Sequence, residues 1–232
     1  MALTREAGEI AMRYFRSAHR RWEKAPGSLV TEADIAIDGF LKERLPRGDD
    51  AWLSEETTDD RRRLEAHRVW IVDPIDGTRS YAGGKAEFAV SVALWEAGRV
   101  VLGVVLNPAT DELFTAVAGA RPRLNDAPLR MRPWSATGGT ALLVSGKEAR
   151  EAGFEHHFAH CRIRGLGSLA YRLALVAAGR ADGLVSLRRV ADWDLAAAAL
   201  MLDEVGAVVT DRHGQPLRIN ASMPQHDGLV VA

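Results

Sequence analysis

The apolar run Val69-Trp70-Ile71-Val72 runs straight into Asp73-Pro74-Ile75-Asp76-Gly77-Thr78, and this junction constrains the fold more than any other stretch. Consecutive apolar residues closed by a polar turn read as a strand buried on both faces, which belongs inside a layered fold. Yet this strand ends on two carboxylates three residues apart. If the two meet, their repulsion forces one of them to take up a proton. A divalent cation removes that conflict, because hard ions such as Mg2+ prefer oxygen ligands. Pro74 fixes the turn, so the Ile75 carbonyl can face the same centre. Gly77 and Thr78 then open a helix or turn whose N–H groups can hold an anion. Taken alone, D-x-x-D is also ordinary turn chemistry, with Asp76-Gly77 as a common turn pair.

The remaining patterns fit a layered α/β chain. From "ALLVS" onward, strand and helix signals alternate: "KEAREAGF" helical, "CRIRG" extended, "SLAYRLALVAAG" helical, "DGLVSL" extended, "DLAAAALMLDEVG" helical, "AVVTD" extended. The middle is β-rich. "FAVSVALWEAGRVVLGVVLN" predicts a hairpin turning at Glu96 to Arg99, and "ELFTAVAGARPRLNDAPLRM" another with Asn125-Asp126 at its tip. Two helices are expected first, with apolar faces at Ile10 and Tyr14 and at Ile37, Phe40, Leu41 and Leu45. "KAPGSLVTEAD" joins them, broken by Pro26-Gly27. "AWLS" reads as a short strand and "DRRRLEAH" as helical. The breakers between Pro133 and Gly139 divide the chain into an N-terminal α+β part, 1–133, and a C-terminal α/β part, 134–232.

Composition narrows the partners. At 47% hydrophobic and 26% charged, the 232 residues suffice for a real core. The formal net charge of -1 supplies no field to recruit a nucleic-acid polymer or a membrane surface. No apolar run approaches the ~20 residues of a membrane span. The single cysteine, Cys161, allows no internal disulfide and favours a reducing compartment. "MALTREAGEIAMRYFRS" lacks the apolar core of a signal peptide, so the expected location is the cytoplasm.

Further acidic residues stand where the first two would need company. Glu55 and Glu56 follow the apolar "WLS", Asp34 lies near a helix start in "VTEAD", and Asp194 in "DWDLAA" sits where a carboxylate also serves as a helix cap. "WIVDPIDGT" with "LVTEAD", "LSEE" and "WDLAAAALMLDEVGA" resembles the inositol monophosphatase superfamily of Mg2+-dependent, lithium-sensitive phosphatases, in order and spacing over roughly residues 5 to 215. "DPIDGT" and "WD" are its two signature motifs. The resemblance implies a layered α/β/α/β/α sandwich and about two to three Mg2+ ions. By it, Glu55, Asp73 and the Ile75 carbonyl hold the first metal; Asp73, Asp76 and Asp194 hold the second. A weaker further site lies near Glu55 or Glu56. Asp34 pairs with Thr78 to orient and deprotonate the attacking water, and the Gly77 and Thr78 amides bind the phosphate. The substrate is a small-molecule phosphate ester, and the protein a monomer or homodimer. A catalytically silent phosphate-binding relative would lack a ligand, and all of these residues are present.

Which ester is less constrained. Inositol monophosphatases carry an acidic residue about seven positions before the "WD" aspartate, where this chain has Leu187 followed by Arg188-Arg189. A guanidinium suits a second phosphate, a carboxylate suits hydroxyls. With "DGTRSYAGGKAEFAVSVAL", this resembles the CysQ-type 3'(2'),5'-bisphosphate nucleotidases, which implies conversion of 3'-phosphoadenosine 5'-phosphate to AMP and phosphate. Inositol 1-phosphate or another sugar phosphate is the alternative. Arg188 and Arg189 also read as a solvated loop pair. One departure is Leu29, where such nucleotidases often have proline, in the loop bearing Lys24. "GLGSLA" matches a dinucleotide fingerprint but lacks its βαβ setting; by resemblance Gly167 and Ser168 contact substrate, while Ser168 equally suits a helix N-cap. His156 and His160 have zinc-binding spacing but no third ligand, and read as a surface helix.

Overall fold

The computed structural model describes residues 1–17, 20–25, 28–132, 139–151, 156 and 158–232. Helix α1 (Ala2–Tyr14) leads to a hairpin, β1 (Arg21–Ala25) and β2 (Ser28–Thr31), and then to helix α2 (Glu32–Arg44). The hairpin stands where the sequence predicts only a link. Its strands are antiparallel, with Trp22 opposite Val30. They are too short, and too interrupted by Glu23 and Lys24, to carry a period-two signal.

Strands β3 (Ala51–Ser54), β4 (Arg68–Asp76), β5 (Ala89–Glu96), β6 (Arg99–Asn107), β7 (Glu112–Val117), β8 (Arg123–Leu124) and β9 (Ala127–Pro128) form one sheet in that order. The β3–β4 pair is parallel and the rest are antiparallel. Helix α3 (Thr78–Ala82) follows β4. The apolar run in β4 is explained by burial on both faces. Val69 and Ile71 enter one core, while Trp70 and Val72 enter the other, as a period of two requires. The helix expected over "DRRRLEAH" is only a 3-10 turn, Arg62–Leu64. Asp59 and Asp60 accept the N–H groups of Arg61 and Arg62, a local alternative to helix. Arg63 is drawn into the interior, donating to Asp59 and Asn220.

The second sheet has the order β11-β10-β12-β16-β14, built from β10 (Ala141–Ser145), β11 (Arg162–Leu166), β12 (Gly183–Ser186), β14 (Val209–Thr210) and β16 (Leu229–Val231). Helix α4 (Leu169–Ala177) and helix α5 (Asp192–Glu204) belong to this half. Strands β13 (Val190–Ala191) and β15 (Gln225–His226) pair separately. Of the expected helix over "KEAREAGF", the described residues hold a 3-10 turn, Glu148–Arg150; residues 152–155 lie outside them, as does most of the boundary at 133–139.

The layers follow from the two cores. Ala7, Ala11, Ile37 and Leu41 of α1 and α2 pack on one face of the seven-stranded sheet. On its other face lie α4 and α5, whose Leu173, Ala174, Ala197 and Met201 share a core with Ile71, Val105 and Phe114. That core continues into Leu143, Leu184 and Val231 of the second sheet. The chain is thus an α/β fold with both sheets clasping α4 and α5. No helix of the described residues is long and apolar enough to cross a membrane.

Candidate active site

The carboxylates gather where strands of the first sheet meet the starts of helices. β4 carries a bulge: Asp73 faces Ser91 and Asp76 faces Ala89, so Pro74 and Ile75 oppose one residue of β5. A bulge re-aims side chains, and proline, having no N–H to give the ladder, fits there. Asp73 Oδ1 accepts the Ile75 N–H at 3.0 Å, which holds the turn closed. Gly77 follows with φ +91°, and a Cβ there would stand 2.8 Å from the Glu87 carbonyl, so glycine is required.

Three helix N-termini point at this turn. Asp34, at the third position of α2, accepts the Thr31 N–H and hydroxyl through Oδ2, at 2.8 and 2.5 Å. Asp194 occupies the same position in α5 and accepts the Ala191 N–H at 3.3 Å. Asp76 Oδ2 accepts from Ser168 Oγ at 2.6 Å and from the Ala170 N–H at 2.5 Å, at the start of α4. Each carboxylate gains from the positive end of a helix. Ser168 also caps α4 by accepting the Tyr171 N–H at 3.0 Å.

Glu55, Asp73 and Asp194 each offer an oxygen lying within 4.8 Å of the others. Asp73 is buried, and among the described residues its Oδ2 has no hydrogen-bond partner. Burial, with Glu55 and Asp76 nearby, pushes the Asp73 carboxyl well above the usual range. Burial, then Asp76 and Glu55, does the same to Asp194. Burial also raises Glu55, against the pull of Lys24, and Asp34 is pushed up to about 7 by burial. A cluster that resists ionisation in this way, with an orphaned buried oxygen, fits a hard divalent cation bound through carboxylates. Asp76 stands outside the three-oxygen group, and its Oδ2 is committed to the start of α4. The Ile75 carbonyl accepts the Thr78 hydroxyl at 3.1 Å, and that hydroxyl lies 3.5 Å from Asp34 Oδ1. The hairpin brings in Lys24, which bonds Glu56 at 2.6 Å and approaches Glu55 at 3.6 Å.

A cavity of about 620 Å3 opens above these groups. Glu55, Asp73, Asp76, Gly77, Thr78, Gly167 and Asp194 line it. Ser168 is fully buried behind it. Arg188 and Arg189 are not among its lining residues. Both are exposed, and Arg188 is ion-paired with Glu151 on the surface. Tyr171 bonds Glu112 rather than facing the cavity. Trp70 and Trp193 pack into the two cores. Among the described residues His156 and His160 join no metal-capable cluster.

Sequence reasoning missed several groups here. Glu87 accepts the Gly167 N–H at 3.2 Å and so ties the two halves together beside the turn. Lys147 and Arg150 line the cavity. Only the glycine after β10, in "SGKEAR", hints that the chain turns there rather than starting a helix.

The family model described as the inositol monophosphatase family matches residues 1–231. An inositol-1-monophosphatase of Rhizobium meliloti (strain 1021) is 39% identical over 201 residues, 82% of this chain and 75% of that protein. Nus factor SuhB of Pasteurella multocida (strain Pm70) is 37% identical over 82% of this chain and 74% of its own length. Among solved structures, an inositol monophosphatase of Thermotoga maritima superposes with a TM-score of 0.85 at 29% identity, covering 100% of this chain and 89% of the other. With the buried carboxylate cluster, these likenesses establish that the chain belongs to the inositol monophosphatase family and is a metal-dependent phosphatase.

Proposed function

We propose that the chain hydrolyses a phosphomonoester that carries a second anionic group, as a 3'(2'),5'-bisphosphate nucleotidase acting on 3'-phosphoadenosine 5'-phosphate. The observation that carries this reading is the charge of the cavity wall. Arg79, Lys85, Lys147 and Arg150 line it above a floor of metal-binding carboxylates. Glu87 is the one acidic lining residue outside that floor, and its carboxylate already accepts the Gly167 N–H. A second phosphate on the substrate would meet Lys85, Lys147 and Arg150 on that wall, which a monophosphate on a neutral ring would not use.

Glu55, Asp73 and Asp194 would hold Mg2+, with Asp76 and the Ile75 carbonyl as further ligands. Bound Mg2+ supplies Lewis acidity and neutralises charge that builds on the phosphoryl oxygens. Thr78 and Asp34 form the proton relay: the hydroxyl bridges the Ile75 carbonyl and Asp34 Oδ1, so a proton taken by Thr78 from the attacking water can pass to Asp34. The amides of Gly77 and Thr78 receive phosphate oxygens at the bulge. Lithium, a small hard cation, is expected to inhibit by competing at the same oxygens.

Arg188 and Arg189 do not support the nucleotide reading, since both are exposed and Arg188 is engaged by Glu151. A second reading, inositol 1-phosphate, is favoured by the name of the 39% identical relative. Phosphate release from 3'-phosphoadenosine 5'-phosphate and from inositol 1-phosphate, each with Mg2+, separates the two. A higher kcat/KM on the bisphosphate is expected; a strong preference for the inositol ester overturns the proposal.

A further inference from the structure

The geometry points to the Gly146–Arg150 turn as a second-anion subsite, with Lys147 and Arg150 binding a phosphate of the substrate that is not cleaved. This rests on the reading of a doubly anionic substrate and assigns the residues that recognise it. The phosphate being cleaved belongs at the β4 bulge, on the seven-stranded sheet. Lys147 and Arg150 come from the other sheet, just after β10, and line the same cavity. Among the described residues neither is ion-paired: the neighbouring Glu151 is taken by Arg188, and Glu148 faces inward. A guanidinium can grip a phosphate through two parallel N–H bonds, and an adjacent ammonium adds a point charge.

Lys147 and Arg150 are exposed at the cavity rim, and the turn that carries them is anchored from within. Glu148, between the two basic residues, is fully buried. Its carboxylate accepts the Leu187 N–H at 2.7 Å, the Ser186 hydroxyl at 3.1 Å and the Ser145 N–H at 3.3 Å. Those bonds hold it below the usual carboxylate range despite burial. The turn is thereby tied to the end of β12, which leads into the strand before Asp194. Gly165 of β11 packs beneath: a Cβ there would lie 3.1 Å from the Gly146 Cα and 3.2 Å from the Ala149 Cβ. Glu148 is thus a positioning residue. It fixes the backbone of a turn whose flanking side chains face the cavity, and it joins that turn to the segment carrying Leu187. The other charges lining the cavity are Arg79 of α3, Lys85 in the segment after it, Glu87, which is bonded to Gly167, and the carboxylates of the cluster.

The test compares 3'-phosphoadenosine 5'-phosphate with adenosine 3'-monophosphate, which keeps the ester to be cleaved and lacks the second phosphate. Wild type is expected to prefer the bisphosphate. In Lys147→Ala/Arg150→Ala that preference should fall by about tenfold or more, chiefly through KM, while turnover of the monophosphate falls far less. Charge reversal in Lys147→Glu should lower it further. Glu148→Gln, which leaves both basic side chains in place, should weaken the same preference by loosening the turn that carries them. If wild type prefers the bisphosphate and the double variant keeps that preference, the subsite is wrong and the substrate reading stands. Equal losses on both substrates would also overturn the subsite, marking a structural role. If wild type shows no preference, the substrate reading itself fails, and the subsite with it.

Discussion

At the level of single residues, the site depends on carboxylates held close together at the floor of the cavity. Burial and the neighbouring carboxylates oppose ionisation of Asp73 and Asp194 when no metal is bound. Asp73→Asn and Asp194→Asn should each lower phosphatase kcat by about a thousandfold or more, the scale lost when a preorganised charge is removed. Asparagine keeps the oxygen that accepts the Ile75 or Ala191 N–H and cannot ionise, so circular dichroism should show a folded chain that melts no lower than wild type when metal-free at pH 8. Added Mg2+ should no longer raise that melting point. Asp34 sets a pH dependence. Its folded value is raised from 3.8 to about 7. Its contribution to stability is therefore full below about pH 4 and lost as pH rises through about 7. Melting temperatures of metal-free protein should fall over that window, and fall less in Asp34→Asn. A rise over the same window would contradict the shift.

At the scale of elements, the site depends on where strands stop and helices start. Gly77→Ala should destabilise the fold by more than about 1 kcal/mol, because alanine is strained at that φ and meets the Glu87 carbonyl. Activity should fall with it, since the substitution moves the bulge carrying Asp73 and Asp76. Urea denaturation and kcat on the same preparation check both halves. This part of the site was legible in the sequence because strand, bulge and cap are all local: four apolar residues, a proline and a glycine are read in one line. The β1–β2 hairpin was not, because its register depends on pairing Trp22 with Val30 across a turn, with no alternation to announce it. The turn at Arg62–Leu64 was misread for a different reason. Its arginines suit a solvated helix, yet Arg63 is claimed by Asn220, 157 residues away.

At the scale of the whole molecule, the two sheets share one helical layer, and the cavity forms where that layer meets both. Glu55 comes from the end of β3, Asp73 from β4 and Asp194 from α5, so the carboxylate cluster exists only when α5 is packed on the seven-stranded sheet. Motif order revealed these residues because each sits in a distinctive local context. Cavity charge was not readable in the same way. Arg188 and Arg189 stand next to a signature motif and still face outward, while Lys147 and Arg150 stand in an unremarkable stretch and line the pocket. Neighbourhood along the chain says little about which side of a loop a side chain takes. Metal binding should bind the halves together, since any ligand that recognises only the folded chain stabilises it by mass action.

The most direct test of the central claim, that these carboxylates form a metal-dependent phosphatase centre, is phosphate release measured against Mg2+ concentration for metal-stripped wild type and Asp73→Asn. The account predicts release that is absent after stripping, saturates as Mg2+ is restored, and stays absent in folded Asp73→Asn. Release that persists without divalent metal, or that Asp73→Asn supports at the wild-type rate, would contradict it.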